Sequence, residues 1–213
     1  MASIFNTSTT ISGKVSRILN FVESGKDFYV GIGKPTPWDT SFGTNVSEVN
    51  PPSPTNKTLM LPEPIMYKKV KCVAPASRVA TCTSFSEERN KRVCQDTSFN
   101  TPLNSEVLIK ESFAERNYIL YDPDEITIKG NTFNIFPEFV YIQAEISGEE
   151  YLADGWRCSG LFTKLFLSEN TTPNQEIYLP NQVEGGLIQQ ITYNTFIERD
   201  DSKQHRFEYL INL

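Results

Sequence analysis

Hydrophobic and polar positions alternate with a period of two over most of this chain, the signature of strands with two different faces. Phe28, Val30 and Ile32 alternate with Tyr29 and Gly31, which predicts a strand over 28–32. Ile65 to Val73, Val107 to Ile109 and Tyr118 to Tyr121 read as further strands. Ile126 to Phe136 reads as a hairpin, because Gly130-Asn131 is a two-residue turn that accepts positive φ. Phe139 to Ile146 and Gly160 to Leu167 follow as strong strands. Near the C-terminus Leu187, Gln189, Ile191, Tyr193, Thr195 and Ile197 share one face, and Asp200 to Lys203 reverses the chain. Phe207, Tyr209, Ile211 and Leu213 then alternate with polar neighbours up to the last residue, which predicts a paired terminus.

One segment has helical period. Val15, Ile18, Leu19 and Val22 fall at i, i+3, i+4 and i+7, with Ser12 as N-cap and Gly25 as C-terminal stop. The fold class is therefore mainly β: β-sandwich-like, with one N-terminal helix and a long proline-rich arm. We read 1–213 as a single domain, with 34–64 the extended arm and about 74–106 a polar insertion.

The arm is the part of the chain that regular periodicity does not reach. Gly33 opens it, Pro35 and Pro37 exclude helix and central strand, and Trp38 follows at once. Asn50-Pro-Pro-Ser-Pro and Leu61-Pro-Glu-Pro hold the rest extended. Loops this long in compact proteins usually serve a purpose, and the interleaved Trp38, Phe42, Leu59, Met60 and Leu61 argue against a solvated linker. A stiff loop places a large aromatic at little entropic cost, so Pro35, Pro37, Trp38 and Phe42 are the candidate partner-docking residues. The alternative at this point is that Trp38 plugs the core of its own subunit.

Composition narrows the chemistry. A net charge of −6 has the wrong sign for nucleic acid, and no apolar run approaches the roughly 20 residues of a membrane span. No secretory leader is visible, so Cys72, Cys82, Cys94 and Cys158 are expected to be free thiols; no two of them form a C-x-x-C pair. Gly31-Ile-Gly33-Lys34 resembles a phosphate loop only superficially: Phe28 and Pro35 stand where that pattern needs Gly and Ser or Thr. The single histidine, His205, lies in the hydrophilic 200–206 stretch and reads as a solvated loop residue. Acids such as Glu145, Glu149, Glu150 and Asp154 are candidates for a glycoside hydrolase pair, but they fall in or beside the Gly148 turn, where exposed acids are common. We expect no enzyme activity, no catalytic residue, no cofactor and no metal.

Both ends of the chain resemble a known family. The helix, then Phe28 to Asp39 with its Gly-Lys-Pro and Pro-Trp, then Asn50-Pro-Pro-Ser-Pro-Thr is similar to the opening of baseplate wedge proteins of contractile-tailed bacteriophages. The nearest pattern is that of the gene-eight wedge protein of T-even phages. Gly186 to Phe196, the acidic turn at Arg199-Asp-Asp and the final Glu208 to Leu213 resemble the family's end, and Arg157-Cys-Ser-Gly-Leu-Phe resembles a segment of related wedge proteins. The resemblance covers the first sixty or so residues and the last thirty or so. It implies a structural subunit of the virion, made in the host cytoplasm, that joins neighbouring baseplate proteins during assembly. It also implies a homodimer that contacts other wedge proteins and tail-fibre connectors; charge and the short apolar runs leave no nucleic acid and no membrane among the expected partners. The alternative is a receptor- or carbohydrate-binding module using Trp38, Trp156 or tyrosines as sugar platforms.

Overall fold

The computed structural model describes residues 10–54, 60–78, 82–86, 91–94, 107–108, 118–129, 132–133 and 136–213. The chain is mainly β, with a single α-helix among the described residues. It divides into two compact units, one of residues 1–23, 73–141 and 210–213, the other of 24–72 and 142–209.

In the first unit the helix α1 (Ile11–Ser24) buries Val15, Ile18 and Val22, the stripe its periodicity predicts. Val15 packs with Ile126, and Leu19, Tyr121 and Phe136 close around them. The cap differs from expectation. Thr10 Oγ1 accepts from the Gly13 N–H at 3.1 Å, so Thr10 and not Ser12 starts the helix. Gly25 is not a left-handed stop either: it opens a 3-10 turn, Gly25–Asp27, closed by Phe28 N–H to Gly25 O at 3.2 Å.

The strands of both units, in chain order, are β1 (Tyr29–Gly33), β2 (Pro64–Lys69), β3 (Cys72–Arg78), β4 (Cys82–Ser86), β5 (Lys91–Cys94), β6 (Val107–Leu108), β7 (Tyr118–Leu120), β8 (Ile128–Lys129), β9 (Thr132–Phe133), β10 (Phe139–Ser147), β11 (Gly155–Leu167), β12 (Ile177–Tyr178), β13 (Val183–Glu198) and β14 (Gln204–Ile211). In the first unit β3 pairs with β7, and β4-β5-β6 form a small antiparallel sheet within the stretch read as a polar insertion. Ile128 faces Phe133 and Lys129 faces Thr132 across the predicted hairpin, whose Gly130-Asn131 turn lies outside the described residues. The side chains of Cys82 and Cys94 also lie outside them.

The second unit is built on a five-stranded antiparallel sheet in the order β12-β2-β1-β11-β13. The central strand β1 is buried at all five positions, because both of its faces are covered. That overrides the simple alternation of its sequence: Val30 and Ile32 face one way, Tyr29, Gly31 and Gly33 the other, and neither side is wet. β10 and β14 lie side by side, and Trp156 of β11 meets Phe207 of β14 at 5.3 Å. His205 belongs to β14 and stands edge-on to Trp156 at 5.9 Å. It is half-buried, not a solvated loop residue, because the hydrophilic turn ends at Lys203 and the strand starts one residue before the histidine.

Two further boundaries move. β11 begins at Gly155, five residues before the predicted start, so Arg157 and Cys158 are strand residues. β13 does not keep one buried face: its register against β11 shifts four times, and Leu187 is 53% exposed. Three of the shifts insert one residue on one strand and turn the side chains after it, and the fourth, at Trp156/Cys158, leaves two extra residues on β13, which a strict period of two does not anticipate.

Candidate functional site

The arm lies on the face of the five-stranded sheet formed by Tyr29, Gly31, Tyr67, Cys158 and Phe162. Its seat is a hollow made by glycines. Gly31 and Gly160 are direct cross-strand partners on β1 and β11. A Cβ on Gly31 would stand 2.6 Å from Leu61 Cδ1 and 2.8 Å from the Tyr67 ring; one on Gly160 would stand 3.2 Å from Leu61 Cδ2. Leu61 therefore fills space that only paired glycines leave open. Gly33 serves the next residue, since a Cβ there would come within 2.7 Å of the Pro62 carbonyl. The Gly31-Ile-Gly33 pattern that imitates a phosphate loop is a trough for the end of the arm.

Trp38 anchors the start of the arm. It is 4% exposed and joins the same cluster as Leu61, Tyr29 and Phe162, so its ring packs in the core of its own subunit. Its Nε1–H donates to the Asn194 carbonyl of β13 at 2.7 Å, and its ring meets Phe42 at 5.0 Å and Tyr193 at 5.1 Å. Pro35 and Pro37, which both precede it, allow this, because the chain enters the turn already extended. Of the other candidate docking residues, Pro37 is exposed, while Pro35 and Phe42 are half-buried.

Two buried cations lock the arm down. Lys34, 1% exposed, pairs with Glu63 at 2.6 Å, and its backbone N–H donates to the Glu63 carbonyl at 2.9 Å. Its ammonium also reaches Thr36 Oγ1 and lies 5.3 Å from the centre of the Phe42 ring. Lys34 and Glu63 are the two ends of the arm, and both hold positive φ, 59° and 42°. Side chains rarely adopt that conformation, which costs about 1 kcal/mol or more at each residue, so the clasp is maintained against local backbone preference. Arg157, 6% exposed, holds the middle: its Nε donates to Glu48 at 2.7 and 3.0 Å, and its Nη1 to the Pro35 carbonyl. Glu48 also accepts from the Trp38 backbone N–H at 3.0 Å.

The carboxylates carry the electrostatic consequence. The hydrogen bond from Arg157 holds the Glu48 carboxyl below its ordinary value of 4.5. Burial raises that of Glu63, but the bonds from Lys34 and Thr36 outweigh it and the net shift is also downward. Cys158, free and buried beneath Pro62, has its thiol pushed up to about 12 by burial and then by the Glu63 charge.

Elsewhere in this unit, two of the four acids singled out for hydrolysis are engaged in ion pairs: Glu145 with Lys71 at 2.7 Å and Arg206 at 3.3 Å, Glu150 with Lys68 at 2.5 Å. Trp156 is as buried as Trp38, so neither tryptophan is a platform for a sugar in this conformation.

Sequence reasoning placed the arm and its tryptophan but missed Lys34, Glu48, Leu61, Glu63, Arg157 and the glycine seat as partners. A glycine within a strand pattern signals close approach of another segment, and Gly31, Gly33 and Gly160 carry that signal. Arg157 and Gly160 are also two residues of the Arg-Cys-Ser-Gly-Leu-Phe segment that resembles wedge proteins, so that segment forms part of the arm's seat.

Comparison with known proteins is consistent with this. The model of the family described as "Baseplate wedge 3 tail fiber network component" matches residues 110–213. Virion protein 3 of Enterococcus phage phiEF24C is 27% identical over 181 residues, which cover 84% of this chain and 80% of that protein. Over residues 110–213 the chain matches a baseplate wedge family, and with the virion relative this supports a baseplate wedge-type phage protein. It is a structural component of the tail baseplate and resides in the virion. The matched region includes β10, β11, β13 and β14 of this baseplate protein, and so contains Arg157, Gly160 and the Asn194 carbonyl that receive the arm. Among the described residues no helix is long and apolar enough to cross a membrane.

Proposed function

We propose that this baseplate protein is a non-enzymatic wedge subunit of a contractile tail that joins neighbouring baseplate proteins, tail-fibre connectors among them, as the virion assembles. It does so as a homodimer, with the arm as one of its joints. The observation that carries the reading is the anchoring of the arm: Trp38, Leu61, Lys34 and Arg157 fasten it from beneath. Pro37 and Val49, the latter 89% exposed, stand on the outside, with Pro35 and Phe42 half-covered at the margin. A loop fixed before it meets a partner has already lost its conformational freedom, and binding then costs less. Trp38 acts in this scheme as a positioning residue, and the contact surface is Pro35, Pro37 and Phe42, extended by Val49.

The test is incorporation. A Pro37→Ser, Val49→Asp double variant should keep the melting temperature of the subunit and be depleted in purified virions assayed by mass spectrometry. Normal incorporation would remove the arm from the joint. Reproducible turnover of cell-wall glycan that vanishes on replacing a single acid would overturn the non-enzymatic part.

A further inference from the structure

Residues of β11, β13 and β14, all within the second unit, line a cleft of about 320 Å³. On β14 the strand's period of two puts His205, Phe207 and Tyr209 on one face. Trp156 of β11 meets two of these rings, Phe207 at 5.3 Å and His205 at 5.9 Å. Three polar atoms of these lining residues, Trp156 Nε1, His205 Nε2 and Tyr209 Oη, are buried with no hydrogen-bond partner. Among the described residues one other buried side-chain atom shares that condition, Tyr151 Oη, which lies near Trp156 without bonding it. Burial raises the Tyr209 phenol to about 12 and Ser159 nearby draws it down, yet the two hydroxyls do not close a bond. An unpaired buried donor or acceptor is costly, and folded proteins keep few of them, so three at one cleft call for a common reason.

We infer that this cleft is a binding site for one sugar ring, a neutral hydroxylated ligand that completes the hydrogen bonds of Trp156, His205 and Tyr209. Elimination selects the class. An apolar guest would leave all three atoms unpaired. A charged guest would find no free counter-charge: the two charged residues at the cleft, Arg206 and Glu208, oppose each other in sign, and Arg206 is already paired with Glu145 at 3.3 Å. A sugar hydroxyl both donates and accepts. It suits the indole N–H, which only donates, and equally the phenol and the imidazole, which can do either. The C–H groups of the ring suit the aromatic remainder of the wall, Phe207 above all. Ligand pockets run to roughly 300–1,000 Å³, so a cleft at the lower end fits one ring and not a chain. Trp156 takes part through its N–H edge, because its face is too buried to serve as a stacking platform.

Proton–nitrogen correlation spectra of the full chain test this, with free glucose, galactose and N-acetylglucosamine as probes at millimolar concentrations. The protein has two tryptophans, so two indole N–H signals report: that of Trp38, already bonded to the Asn194 carbonyl, and that of Trp156. At least one of the sugars should shift the Trp156 signal saturably and leave the Trp38 signal in place. Tyr209→Phe removes the hydroxyl alone and should raise the dissociation constant of that sugar by about tenfold. The same variant should melt at an unchanged or higher temperature without sugar, because an unpaired buried hydroxyl has been lost. A lower melting temperature would give that hydroxyl a partner within the fold and overturn the site. No shift with any of the three sugars, or a shift that Tyr209→Phe leaves intact, would overturn it too. An equal shift with glycerol would show that the cleft takes any small polyol or replaces bound water, and the assignment to a sugar ring would fall.

Discussion

The arm of residues 34–63 and the strand β13 look from their sequences as though their burial should be reversed. The arm is irregular, polar and punctuated by prolines, yet it supplies Trp38 and Leu61 to the core. β13 has the cleanest alternation in the chain, yet it ends a sheet and keeps Leu187 and Phe196 exposed, at 53% and 40%. Regular periodicity reports that a segment fits a sheet; it does not report how many neighbours that strand will find. A buried residue needs only a complementary hollow, and the Gly31–Gly160 pair offers one to a segment with no regular structure at all.

That contrast is broken or sharpened most strongly at Trp38. Trp38→Ala removes the largest side chain of the arm from the core together with its bond to Asn194, and should destabilise the isolated subunit by about 3–5 kcal/mol in denaturant unfolding. A loss under about 1 kcal/mol with failed incorporation would return Trp38 to the role of an exposed anchor. Next comes the seat. Gly31→Ala presses a methyl group against Leu61 and Tyr67 and should cost about 1–3 kcal/mol. Gly160→Ala, with its longer 3.2 Å approach, should cost less, so equal effects would mean that Leu61 is not the limiting contact.

The lock should respond to acid. Glu48 and Glu63 have carboxyl pKa values depressed in the folded protein, so the unfolded chain takes up protons first as pH falls. Their contribution is fully present above the ordinary value of 4.5 and is lost as pH drops through the depressed folded values. Below that range Lys34 and Arg157 are left buried beside neutral acids. Chemical unfolding across pH 3–6 should therefore show a slope that is reduced in a Glu48→Gln, Glu63→Gln variant; an identical slope would assign the acid sensitivity to other groups.

The smallest effect belongs to the edge. Gln190→Lys should alter the stability of the monomer by no more than about 0.5 kcal/mol, as expected for an exposed side chain. A large loss there would show that β13 is less open than its exposure indicates, and the contrast with the arm would weaken.

The chain's own sequence determined its β character, the helical stripe Val15–Ile18–Val22, the hairpin around residues 130–131 and the existence of the arm, because each depends on neighbours within a few positions. It also carried the resemblance to wedge proteins. What the sequence could not decide was where the arm's aromatic would lie. Trp38 finds Asn194 at a separation of 156 residues, and Arg157 finds Glu48 at 109. The burial of His205 and the loss of a common face in β13 depend likewise on packing, or on register against a strand placed elsewhere. Tertiary structure alone settled these, because a buried contact is decided by the shape and charge of the surface that a side chain meets, and that surface is assembled from distant parts of the chain.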